Sequence, residues 1–357
     1  MSDRLRAAFA RQGEVGAALG SPFMARLMPL IGARIDASTA IGARCLAWEG
    51  DVSAAAQSVP LRLAGALHGL VLDGSDAGLV AAYPPHSVPD ETLWAAVSVA
   101  LKTHERRIMT WLDRAPQTNE VRRAAAVIAG IWWALERVGQ HPVVLSELGA
   151  SAGLNLSLDR LAMTVGRGRH GALDSPVQLA PEWRGPKPKA HPISVADRAG
   201  VDRAPLNPRH PEDALRLQAY IWPDQPERMA RTRAAIALTD TTVDAGDAAP
   251  WLARRLAQPW RGLHVVYTTI AAQYFPDATR DALASTLSAT GSRATRETPL
   301  LHLAMEADDA SPGAGLAAML WAGSAPVTRT LARVDFHGAW IDWRNGPSST
   351  VDFQVGT

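Results

Sequence analysis

The segment Val143-Val144-Leu145-Ser146-Glu147-Leu148-Gly149-Ala150-Ser151-Ala152-Gly153-Leu154-Asn155-Leu156 gathers an acid, two serines and two glycines into one short stretch. An apolar run of strand length ends at the acid, a turn of alternating small residues follows, and an amphipathic stretch resumes up to Leu161, which reads as strand, tight turn, helix. Two chemistries fit that turn. Gly149-x-Ser151-x-Gly153 matches the G-x-S-x-G elbow that presents a serine as nucleophile, with His337-Gly338 late in the chain as a candidate triad histidine. In the other reading the small residues let a ligand approach bare main chain. Amide N–H groups at the helix start would favour an anionic group there, with the acid Glu147 at the strand end beside it.

The surrounding periodicity says what holds the turn. Blocks at 4–19, 22–35 and 61–72 read as helices, and Leu93, Trp94, Val97, Leu101, Ile108 and Trp111 predict one helix over 90–112. Another begins at Gln117-Thr118-Asn119-Glu120, with Thr118 or Asn119 as the natural cap, and stops at Gly139 and Pro142. Strand-like runs follow at 143–148, 192–196, 241–245, 263–268 and 300–306, with helix-like stretches between most of them. That alternation predicts a parallel sheet with crossover helices. Runs at 316–321 and 330–343 lack an intervening helix and predict an antiparallel pair at the sheet's end. Residues 166–191, rich in Gly, Pro and basic side chains, read as an insertion. The expectation is an α/β chain: a helical N-terminal domain over 1–115 and a Rossmann-like, seven-stranded domain over 116–357. This order favours the ligand-cradle reading, because a hydrolase elbow is preceded by several strands and an oxyanion loop, whereas here helices precede it and offer only His68-Gly69.

Glu147-x-Gly149-x-Ser151-x-Gly153 resembles the E/D-x-G-x-G-x-G loop of class I S-adenosylmethionine-dependent methyltransferases, with Ser in place of the middle Gly. That resemblance implies S-adenosylmethionine held by Glu147, Gly149, Ser151, Gly153 and Asn155. A ribose-binding acid belongs at the end of the second strand, best met by Asp202 if 166–191 is inserted, with Asp197 and Asp174 as competitors. Asp247 after the third strand would meet the adenine amino group, and Thr268 would close the fourth. Tyr274, Asp224 and His337 are candidates to orient the acceptor; Gln117, Asn119 and Gln225 are candidates to line its site. The competing readings are structural: a helix cap for 117–120, a turn with a packed indole for Trp222-Pro223-Asp224-Gln225, and a structural pair for Asp335-x-His337. The chain also resembles a bacterial family called domain of unknown function 2332. The match lies in Gln117-Thr118-Asn119-Glu120, the Glu147 to Leu156 turn, Trp222-Pro223-Asp224-Gln225 with Arg228, and His337-Gly338-Ala339-Trp340. This implies a methyltransferase-like fold and brings no reaction with it.

Composition narrows the partners. The 357 residues are 47% hydrophobic and 20% charged, the make-up of an ordinary globular chain. A net charge of +1 provides no positive field for a polyphosphate backbone, so nucleic acid is not expected and a small molecule is. The Arg167, Arg169 and His170 cluster reads as a solvated loop before an anion site. A single cysteine, Cys45, cannot form an internal disulfide, and no signal-peptide pattern opens the chain, so a cytoplasmic setting is expected. The longest uncharged apolar stretch, 124–135, is about half a membrane span. No His/Cys spacing suits a metal, and the sequence leaves the oligomeric state open. Besides a methyltransferase, a serine hydrolase using Ser151 and a non-catalytic nucleotide-binding protein are the readings that the residues allow.

Overall fold

The computed structural model describes residues 2–54 and 56–347. In chain order its helices are α1 (Ser2–Ala18), α2 (Pro22–Arg34), α3 (Ala40–Leu46), α4 (Val59–Leu72), α5 (Ala77–Ala82), α6 (Asp90–Thr103), α7 (Glu105–Leu112), α8 (Ala124–Val138), α9 (Pro211–Ala219), α10 (Pro226–Leu238), α11 (Ala248–Ala257) and α12 (Asp277–Gly291). Its strands are β1 (Val143–Leu148), β2 (Ala162–Val165), β3 (Gly168–Gly171), β4 (Gln178–Leu179), β5 (Glu182–Arg184), β6 (Val195–Asp202), β7 (Asp244–Ala245), β8 (Leu263–Thr269), β9 (Leu300–Glu306), β10 (Ala314–Trp321), β11 (Val327–Val334) and β12 (Trp340–Pro347). Three 3-10 segments lie at Val121–Arg123, Leu154–Arg160 and Ala272–Tyr274. Among the described residues no helix is long and apolar enough to cross a membrane.

Two compact units divide the chain. One takes the residues up to Thr118 together with His210–Ala230; the other takes Asn119–Arg209 and the residues from Arg231 onward. The helical unit has a continuous apolar core that includes Leu5, Phe9, Met28, Ile31, Leu63, Leu67 and Leu101, all at most 2% exposed. The helix predicted over 90–112 is broken at His104, whose Nε2 lies 3.1 Å from Asp76 Oδ2. The segment 210–230 joins this unit through contacts that linear order does not announce. Tyr220 packs so closely on Gly65 that a Cβ there would lie 2.4 Å from the ring.

The second unit is a mixed α/β body around a nine-stranded sheet, ordered β5-β12-β11-β10-β9-β8-β1-β6-β7. The strands β7, β6, β1, β8 and β9 run parallel. β1 and β8 are buried along their whole length, which is why they read as near-continuous apolar runs. Side chains alternate between faces. Helices α11 and α12 pack on one face and α8 on the other, as shown by Gly291 against Trp321 and Gly130 against Leu303.

Nine strands replace the expected seven, for two local reasons. The run taken as a single strand over 330–343 turns back at Asp335–Gly338, where Gly338 has φ 71°, and becomes the hairpin β11–β12. Within the stretch read as an insertion, β5 pairs parallel with β12 and extends the main sheet, while β3 and β4 flank β2, which precedes that stretch, in a small sheet of their own. The expected closing pair is accordingly a meander in which β10 is antiparallel to both β9 and β11.

Candidate functional site at the carboxyl edge of the sheet

Strand order reverses between β1 and β8: the chain moves outward one way through β6 and β7, then returns to the other side of β1. Open parallel sheets bind ligands outside the carboxyl ends of their strands at such a switch point. The loops that flank it are backbone-strained. Gly149, Ser151 and Gly153 all have positive φ (73°, 53° and 72°), and Ile270, at the end of β8, has φ 53°. A β-branched residue in that region is a genuine outlier. Of the three non-glycine residues with positive φ among those described, two therefore sit at the ends of these neighbouring strands. The loops touch: a Cβ on Gly149 would lie 2.5 Å from Ala271 Cβ.

The turn is held from within. The N–H groups of Gly149 and Ala150 both donate to Val201 O, that of Ser151 to Asp202 Oδ2 at 2.9 Å, that of Gly153 to Ala150 O and that of Leu154 to Asn119 Oδ1 at 2.9 Å. The amides expected to face a ligand carboxylate thus already bond protein groups. Asp202 closes β6 and also accepts from Ala204 N–H at 2.9 Å. Asn119, expected as a helix cap, reaches across to the turn; Glu120 caps the 3-10 segment instead, accepting from Arg122 N–H.

Beneath the turn Glu147 is 2% exposed. The Tyr267 hydroxyl donates to its Oε2 at 3.3 Å, and Asn155 hydrogen-bonds the same carboxyl. Burial dominates and pushes the Glu147 acid up to about 8, with the hydrogen bonds and Arg123 opposing and Asp202 reinforcing. Asn155 is 1% exposed, and its Oδ1 has no partner among the described residues. Glu306, at the end of β9, accepts from Ala271 N–H through both oxygens; burial raises its acid as well. Arg123 is the cation near both acids, anchored by donating to Thr269 O at 3.1 Å and Phe336 O at 2.8 Å.

A family described as an uncharacterized protein conserved in bacteria, DUF2332, matches residues 6–343. The chain belongs to that family. No match was found among curated proteins or among solved structures.

In this DUF2332 member the structure gathers Glu147, Gly149, Ser151, Gly153, Asn155, Asn119 and Asp202 around one turn. Asp202, and not Asp197, stands at the strand's carboxyl end; Asp197 pairs with Arg255 nearer the other end of β6. Asp247 is exposed and caps α11, accepting from Ala249 N–H and the Thr279 hydroxyl. Thr268 is 1% exposed inside β8, and Tyr274 is 62% exposed just beyond it. His337 lies at the β11–β12 hairpin tip, which Arg123 anchors; Asp335 Oδ1 accepts the backbone N–H groups of His337 and Ala339. Gln117, Asp224 and Gln225 belong to the helical unit. There Asp224 accepts from the Ser21 hydroxyl at 2.5 Å and from Phe23 N–H at 2.8 Å, closing the start of α2, while Gln225 Oε1 accepts from Arg228. Sequence reasoning missed Arg123, Tyr267 and Glu306. The signal for Tyr267 and Glu306 was a polar group inside or ending an otherwise apolar strand.

Proposed function

We propose that the sheet unit binds S-adenosylmethionine along the carboxyl edge of β7, β6 and β1 and transfers its methyl group to a small molecule. One observation carries this reading: Glu147 and Asp202 lie at the carboxyl ends of β1 and β6, and Asp247 two residues past the end of β7, so three acids follow three neighbouring parallel strands in order, beside a turn with left-handed backbone at 149, 151 and 153. The fit relies on side chains, since the turn's amides are largely occupied. Each carboxylate oxygen of Asp202 accepts one backbone N–H, and those of Asp247 accept one backbone N–H and the Thr279 hydroxyl, which leaves a lone pair on each oxygen available to ribose hydroxyls and the adenine amino group. The unpaired Asn155 Oδ1 and the adjoining Glu147 suit an ammonium. When bound, the cofactor supplies an electrophilic methyl group; the chain's residues fix the approach of the acceptor and exclude water.

Calorimetry with S-adenosylmethionine or its demethylated product tests this. Binding at neutral pH, measured in two buffers of different ionisation enthalpy, is expected to release a proton from Glu147, because a nearby cation favours the carboxylate. Asp202→Asn is expected to weaken binding about tenfold. An absence of binding heat for either compound sinks the proposal. A serine hydrolase is the second reading, favoured by the left-handed φ of Ser151, the strained turn that an elbow requires. Covalent labelling by a fluorophosphonate that disappears in Ser151→Ala would replace the first reading with this one.

A further inference from the structure

A second polar cluster lies on the opposite face of β1 and β8. Ser146 is fully buried, and its Oγ lies 2.8 Å from His264 Nε2. Arg255 on α11 donates its Nε–H to the same Oγ at 3.2 Å and a second N–H to Asp197 at 2.5 Å. The Trp260 and His264 rings meet nearly at right angles, with centroids 5.1 Å apart. Two atoms in this group are buried without a hydrogen-bond partner among the described residues: Trp260 Nε1 and His264 Nδ1.

Proton accounting fixes their polarity. The Ser146 oxygen already accepts from Arg255. If the Ser146 O–H donates to His264 Nε2, the remaining imidazole proton sits on Nδ1, and one group is left unpaired. If Nε2–H donates to Ser146, both the serine proton and the Nδ1 lone pair lack partners. The first arrangement leaves fewer buried groups unsatisfied and is selected. Burial and the neighbouring Arg255 push the His264 imidazolium down to about 3, so the ring is neutral and carries a single proton. The unpaired atoms are then both N–H donors.

Both residues line a cavity of ≈ 270 Å³, with Arg255 and Arg261 also in its wall and Asp197 as the one carboxylate there. Its volume far exceeds one water's share of about 30 Å³. We propose that this cavity is a binding site for a small oxyanion, a carboxylate or a phosphate, held by Trp260 Nε1–H, His264 Nδ1–H and the guanidinium groups of Arg255 and Arg261. The inference is independent of the methyl-transfer reading: it involves the other sheet face and a donor-rich wall with no proposed cofactor ligand in it.

The test uses the full chain with ¹⁵N-labelled histidine and tryptophan, the His264 signals being assigned by their loss in His264→Gln. Two-bond ¹H–¹⁵N spectra are expected to show the Nδ1–H tautomer. Titration with inorganic phosphate or with succinate is expected to give a saturable shift of the His264 and Trp260 N–H resonances, and the tighter of the two anions names the source. Trp260→Phe, which keeps a ring in place, is expected to weaken that anion about tenfold. Arg261→Gln, at an exposed position, is expected to weaken it about threefold. An Nε2–H tautomer overturns the donor assignment. A lack of saturable shift with either anion, or equal affinity in Trp260→Phe and Arg261→Gln, overturns the site.

Discussion

Ser146 and Glu147 are consecutive on β1, yet they look into different worlds. Glu147 points toward the layer that supplies Asn155, and Ser146 toward the layer that supplies Arg255. On both faces burial removes charge. It pushes the Glu147 acid up to about 8 and the His264 imidazolium down to about 3, so both groups are neutral near pH 7. They differ in what surrounds the neutral group. On the Glu147 face, acids accumulate under a strained turn whose amides are largely occupied by protein acceptors. On the His264 face the backbone is regular strand and donors are in excess. The lesson is that a strand buried on both sides can carry two unrelated polar clusters one residue apart, because alternation sends adjacent side chains to separate layers.

The sharpest way to break this comparison is through the turn. Gly149→Ala combines a left-handed φ with a Cβ 2.5 Å from Ala271 and is expected to cost about 3 kcal/mol or more. Gly139→Ala, with φ 90° but open space around it, is the control and should cost about 1–2 kcal/mol. Thermal midpoints of the two variants measure the difference; equal shifts would remove the tight contact from the account.

Next comes pH. Glu147 holds its proton more tightly folded than unfolded, so its contribution is complete below the ordinary carboxyl value and disappears as pH rises through about 8. His264 behaves oppositely: its contribution is complete above the ordinary imidazole value and is lost as pH falls from there toward about 3. Glu147→Gln should therefore flatten the alkaline limb of stability against pH, and His264→Gln the acid limb. Midpoints measured across pH check both, and a Glu147→Gln profile parallel to the parent would show that the acid is not buried as described.

Ser146→Ala removes a group with two polar partners and is expected to destabilise by about 1–3 kcal/mol, since Arg255 Nε–H and the imidazole lose their acceptor and donor. Denaturant titration of the variant reads this directly. The smallest effect belongs to Ser151→Gly, which relieves the left-handed strain at the turn and should raise stability by about 1 kcal/mol. A loss of stability there would mean that the serine side chain holds the turn in place.

Much of the fold was legible locally. β1 occupies the predicted residues, β9 the predicted 300–306, and β8 runs one residue further than expected, because fully buried strands leave uninterrupted apolar runs. β6 and the β11–β12 hairpin were less legible. β6 carries Asp197, Arg198 and Asp202, which are polar for reasons of pairing and turn-holding, and the hairpin depends on one reversal at Gly338. In the site, Glu147 and the Gly149–Gly153 turn announced themselves by spacing. Arg123, Tyr267 and Glu306 did not, because each becomes relevant only through parallel register or through a contact with a residue far along the chain. Asp224 reverses the pattern: a conspicuous motif residue whose carboxylate binds the start of α2.

By itself the sequence determined the alternation of elements, the small-residue turn after an acid, and the absence of a strong net charge, since these depend on periodicity, glycine and composition. The tertiary structure decided which polar groups meet. Parallel strands are joined by long crossovers, so register brings together residues such as Ser146 and His264 whose separation in the chain carries no trace of their contact. It also decided that the turn's amides bond Val201, Asp202 and Asn119, because a buried N–H takes the acceptor that packing puts beside it.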